Sequence, residues 1–92
     1  MVDEKKTHNE LPPADVLKRL AVSQSGFVFD PVSGRSFSVN PTGLRILGLL
    51  QQETDIAALI ETLTAEYDVD RRQAERDVGE FVGVLREQLH AL

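Results

Sequence analysis

The stretch from Gly26 to Pro41, Gly-Phe-Val-Phe-Asp-Pro-Val-Ser-Gly-Arg-Ser-Phe-Ser-Val-Asn-Pro, constrains the fold of this chain more than any other. Two short runs, Phe27-Val28-Phe29 and Ser36-Phe37-Ser38-Val39, are rich in aromatic and β-branched residues, and the second alternates polar and apolar. That pattern predicts two half-buried strands. Between them, Asp30-Pro31-Val32-Ser33-Gly34 reads as a turn. Pro31 presets φ, Asp30 can bond its own backbone, and Gly34 can take φ > 0. The second strand runs straight into Asn40-Pro41, a helix start with Asn40 as N-cap and Pro41 at the first helical position. The centre of the chain is therefore a β-hairpin leading into a helix.

Upstream, residues 1–15 read as a polar, proline-broken tail, a composition that buries too little surface to offset the entropy of ordering. A first strand is expected over Lys18 to Ser23, with Leu20 and Val22 two apart and Gln24-Ser25-Gly26 as the turn that follows. Downstream, Leu44, Ile46, Leu47 and Leu50 predict a short apolar helix to about Gln51. Thr54 is the expected cap of a second helix, whose apolar face is Ile56, Leu59, Ile60, Leu63 and Tyr67. Asp70 with Gln73 three residues on resembles a capping box and opens a third helix to about Ala91. Its core face reads Ala74, Val78, Phe81, Leu85 and Leu89. The fold class is α+β, three antiparallel strands followed by three helices, with one domain over residues 16–92.

A chain of 92 residues with net charge −5 lacks the clustered basic surface of a duplex-nucleic-acid binder. With no cysteine, disulfides, thiolate metal sites and a cysteine nucleophile are excluded. No apolar run approaches the roughly 20 residues that span a bilayer. No secretory signal opens the sequence, so a cytoplasmic location is expected. His8 and His90 are far apart in sequence and read as solvated surface residues. The serines have no nearby histidine to activate them, and neither metal-ligand spacing nor a Gly-rich phosphate loop is present. The expectation is a protein without catalysis, metal or cofactor.

What remains is binding. The third strand, Ser36 to Val39, carries no charge, whereas Lys18 and Arg19 would guard the first. An undefended outer strand is a template for another chain, and peptide capture by strand addition is one reading of it. The other is that a helix of the same domain covers the edge. On the third helix, Arg72, Arg76, Gly79, Gly83 and Arg86 form a stripe at spacings of 4, 3, 4 and 3. Its glycines either admit an extended backbone or simply tolerate a solvated face. Glu75, Asp77, Glu80 and Glu87 interleave with the arginines and dilute any field attractive to nucleic acid.

Taken together, the hairpin with its Asn-Pro-Thr-Gly exit, Thr54-Asp-Ile-Ala-Ala-Leu-Ile and Glu66-Tyr-Asp-Val-Asp followed by a long amphipathic helix resemble the PqqD-like family. These are small peptide-binding domains also called RiPP recognition elements. The likeness covers about Leu20 to Leu92. It implies a winged-helix-like fold and a peptide chaperone that binds the leader segment of a ribosomally made precursor. In such domains the leader adds beside the third strand and lies against the third helix. The domain then delivers it to a modifying enzyme, often a radical S-adenosylmethionine protein. On this chain the matching positions are Ser36, Phe37, Ser38, Val39 and Asn40, with Glu75, Gly79, Val82 and Arg86 on the helix. The competing reading is a winged-helix DNA-binding regulator, which the mixed charges of the third helix disfavour. A third is an oligomerisation domain that uses the open edge on itself.

Overall fold

A computed structural model gives the fold over residues 11–89. The expectations for the first ten residues, for both histidines and for the end of the last helix fall outside the described residues. In chain order the elements are α1 (Ala14–Arg19), β1 (Ala21–Val22), β2 (Phe27–Phe29), β3 (Ser36–Ser38), α2 (Pro41–Gln51), α3 (Ile56–Tyr67) and α4 (Arg71–Leu89). The strands form one antiparallel sheet in the order β1-β2-β3, and the three long helices follow it, as expected of the α+β class.

The start of the chain differs from the sequence reading. Lys18 and Arg19 belong to α1, not to a strand, and β1 is only Ala21–Val22. Ala14 and Asp15, which composition assigns to the tail, open that helix. Six residues hold too few apolar repeats to display a 3.6 period, so α1 is set by tertiary contacts. Leu17 and Leu20 are buried in the core, and the Gln51 side-chain amide donates to the carbonyls of Leu17 (2.9 Å) and Leu20 (3.1 Å). Asp15 in the first turn and Lys18 and Arg19 in the last complement the helix dipole.

The hairpin forms as its residues dictate. The Gly34 N–H donates to the Asp30 carbonyl at 2.7 Å, with Gly34 at φ +81°. Val28 is fully buried while Phe27 and Phe29 point to the outer, solvent side of the sheet. Gly26 has φ +95°, and a Cβ there would collide with the Val39 carbonyl oxygen. Only glycine lets β2 begin so close to the end of β3.

Each long helix is capped by a carbonyl or carboxylate oxygen of the residue before it. Asn40 accepts from Gly43 N–H at 2.8 Å, with Pro41 in the first turn. For α3 the cap is Asp55, accepting from Ala58 N–H at 2.8 Å, and not Thr54. Both residue types cap well, and the chain begins the helix one residue later. Asp70 accepts from Gln73 N–H at 2.8 Å. The reciprocal arm of a capping box is diverted, because the Gln73 side chain donates to Asp77 instead (2.9 Å). Val28, the inner faces of α2 and α3 and one face of α4 share one core with α1. On α4 that face is Ala74, Val78, Phe81, Val82 and Leu85.

Candidate functional site

β3 is an outer strand of the sheet. Val39 N–H donates to the Gly26 carbonyl and Asp30 N–H to the Arg35 carbonyl, both at 2.8 Å. Val28 stands opposite Phe37. The alternation of an antiparallel ladder then turns the N–H and C=O of Phe37 toward β2 and those of Ser36 and Ser38 away from it. Among the described residues no strand meets those outward groups. The side chains alternate too. Phe37 and Val39 are half-buried and pack against the core, whereas Ser36 and Ser38 are exposed.

Beside the end of this strand lies a cleft of about 360 Å³. Ser38, Val39 and Asn40 form its strand wall, and Thr42, Gly43 and Ile46 of α2 its base. The far wall is α4, with Asp77, Glu80, Phe81 and Val84. A Cβ on Gly43 would stand 2.8 Å from Phe81 Cε1, so glycine there lets the ring lie against the first turn of α2. The cleft is mixed in character. Val84 is 45% exposed and extends the apolar surface of Phe81. Asp77 is half-buried and oriented by the Gln73 amide; Glu80 is exposed and enters no ion pair among the described residues. Among the described residues, no lysine or arginine lines the cleft.

The residues singled out from sequence divide accordingly. Ser38, Val39 and Asn40 line the cleft, and Ser36 and Phe37 continue the same strand. Glu75, Gly79, Val82 and Arg86 do not line it. At about 100° per residue, the stripe they form and the cleft-lining stripe lie about 180° apart around α4. Val82 is 3% exposed and belongs to the core, although the core face read from the sequence leaves it out. Glu75 pairs with Arg71 (3.2 Å), and a Cβ on Gly79 would meet nothing within 4 Å. Sequence reasoning missed Asp77, Glu80, Phe81 and Val84 as a set. Val84 is the available signal, an apolar residue off the core stripe on an otherwise polar flank.

At the opposite end of the sheet, Arg19 donates from Nε and Nη2 to the two carboxylate oxygens of Asp30, both at 2.9 Å. Asp30 is 1% exposed. It also accepts from Val32 N–H and the Ser33 hydroxyl, each at 3.0 Å. The Arg19 bonds hold its carboxyl well below the usual carboxylate range, against the opposing effect of burial and with help from Val32 and Ser33. A bidentate pair of this kind fixes geometry as well as charge. Among the described residues, no three His, Cys, Asp or Glu side chains group as a metal site, and no helix is long and apolar enough to cross a membrane.

The profile of the family described as Coenzyme PQQ synthesis protein D (PqqD) matches residues 26–89, which hold the hairpin, the cleft and the three long helices. The chain belongs to the PqqD family. The resemblance read from the hairpin and the helix junctions is thus borne out. A solved structure described as lasso peptide synthetase B1 complexed with the leader peptide is 33% identical to this PqqD-family chain, with a TM-score of 0.64. The match covers 74% of this chain and 81% of that one. Among curated proteins, none matches.

Proposed function

We propose that this PqqD-family domain is a non-catalytic peptide chaperone. It binds the leader segment of a ribosomally synthesised precursor as an added strand on β3 and presents that precursor to a modifying enzyme, of the radical S-adenosylmethionine type or another. The observation that carries the reading is the open edge of β3 standing over the cleft. Ser36 and Ser38 offer main-chain donors and acceptors, and the cleft receives alternate side chains of the added strand. Main-chain pairing gives affinity and the cleft gives selectivity, the division of labour of strand addition. The likeness to a synthetase component solved with its leader supports the same class of partner. The contact residues in this reading are Ser36 to Asn40 with Asp77, Glu80, Phe81 and Val84, in place of the Glu75–Arg86 stripe.

The test is amide hydrogen exchange with and without leader segments of candidate precursors. Binding should slow exchange at Ser36 and Ser38, whose N–H groups face away from β2, and leave Phe37 and Val39, already bonded within the sheet, nearly unchanged. Protection that appears on α4 but not at Ser36 and Ser38 would overturn strand addition. Retention of duplex DNA at physiological salt, where weak electrostatic attraction is screened, would favour the regulator reading instead.

A further inference from the structure

We infer that the cleft selects a peptide carrying a lysine or arginine two residues from an apolar side chain, with both pointing at α4. The inference rests on the strand-addition reading and asks what chemistry the added strand must have. In such a strand, residues opposite Ser36 and Ser38 project to the outer face of the sheet. Those opposite Phe37 and Val39 share the inner face and meet α4. Two successive inner-face positions are therefore two residues apart. The surface that receives them has two parts, the apolar wall of Phe81, Val84 and Ile46 and the carboxylates Asp77 and Glu80.

The carboxylates decide the sign. Neither forms an ion pair among the described residues, and Asp77 is held in place by Gln73, which brings no charge. A strand laid over the cleft removes water from them. A basic side chain then gains a charge-assisted hydrogen bond, whereas an acidic one meets like charge in a drier setting. The arginines of the α4 stripe, Arg76 and Arg86, would by their charge suit an acidic leader instead. Those arginines are not among the cleft-lining residues.

The probe is a displayed library of random short peptides, selected in parallel on the full chain and on Asp77→Asn/Glu80→Gln. The asparagine can still accept from Gln73, so the cleft keeps its shape. The wild-type pool should be enriched in Lys or Arg at a fixed distance of two from an apolar residue. The double variant should keep the apolar preference and lose the basic one. For a resynthesised hit, exchanging the basic residue for glutamine should weaken wild-type binding by roughly three- to tenfold and leave binding to the variant unchanged. A wild-type pool without that positional preference, or a variant pool that retains it, overturns the charge selectivity while leaving strand addition in place. A wild-type pool with no enriched peptide at all removes both. Should the double variant fail to fold, Glu80→Gln alone, at an exposed side chain, decides by the same criteria.

Discussion

The two outer strands of the sheet end differently. β1 is two residues long and continuous with α1, whose Arg19 reaches over to the β2–β3 turn and locks onto Asp30. β3 carries no such strap among the described residues, its outward groups meet no strand there, and Ser38 at its end lines the cleft. Short length and cover are the common ways to close a sheet edge. Here β1 is the shorter of the two outer strands, and the helix leading into it is pinned to the hairpin turn by Arg19. The difference separates the two ends: the Arg19–Asp30 end holds the hairpin to α1, and the β3 edge, unpaired among the described residues, is the one that the proposed strand addition uses.

The largest effect should follow from breaking the closed end. Asp30→Ala leaves the Arg19 guanidinium without its carboxylate and frees Val32 N–H and the Ser33 hydroxyl. Removing one partner of such a network costs more than the network contributes. The expected result is a marked drop in the thermal midpoint, larger than that of any cleft variant. A variant that melts with the wild type would show that the strap is ornamental and that the two ends do not differ in this way. Acid should act on the same bond. The Asp30 carboxyl is held below its ordinary value, so its stabilisation is full above the unfolded carboxylate pKa of about 3.9 and is lost progressively as pH falls below that. Glu66, held down by Arg45, adds a smaller effect of the same sign. The urea midpoint of Asp30→Asn should therefore fall less steeply than that of the wild type between about pH 5 and about pH 2.

The closed end was only half legible in the sequence. Asp30 was readable as a turn residue bonding its own backbone, and it does bond Val32. Its pairing with Arg19 was not, because Arg19 sits at the end of a helix too short to show a period. The hairpin, the Asn40 and Asp70 caps and the core face of α3 were readable because each is set by neighbours within a turn or a strand pair. The open end was legible as far as β3 goes. The α4 side was not, because the core stripe has a mixed polar flank on each side and the spacing of residues does not say which flank faces the sheet. Gly79 and Gly83 drew attention to the solvent side. Only the packing of Phe81 against Gly43 turns the other flank to β3.

A smaller and more selective effect is expected at the open end. Val84→Arg places bulk and positive charge in the cleft at a position that is 45% exposed. Ser38→Pro removes an outward N–H without touching the ladder to β2. Each should weaken leader-peptide binding by about tenfold or more, near the 1.4 kcal/mol typical of a central contact. The thermal midpoint should stay close to wild type, the reverse of the Asp30 variants. Calorimetric titration beside circular dichroism separates the two. A Val84→Arg protein that loses its fold together with its binding would erase the contrast between the ends.

The smallest effect discriminates between the two flanks of α4. A Cβ on Gly79 or Gly83 meets nothing within 4 Å, so alanine at either position gains helix propensity without a clash. Each substitution should stabilise the domain by about 0.5–1 kcal/mol and leave peptide affinity where it was. Gly43→Ala is the matched control, since its Cβ would stand 2.8 Å from the Phe81 ring. There the propensity gain is offset by displacement of a core aromatic, and the base of the cleft moves with it, so affinity should fall. Thermal melts and titrations on the three alanine variants give the comparison directly. If Gly79→Ala lowers affinity while Gly43→Ala does not, the peptide lies along the arginine–glycine stripe, and the cleft between β3 and Phe81 is not the site.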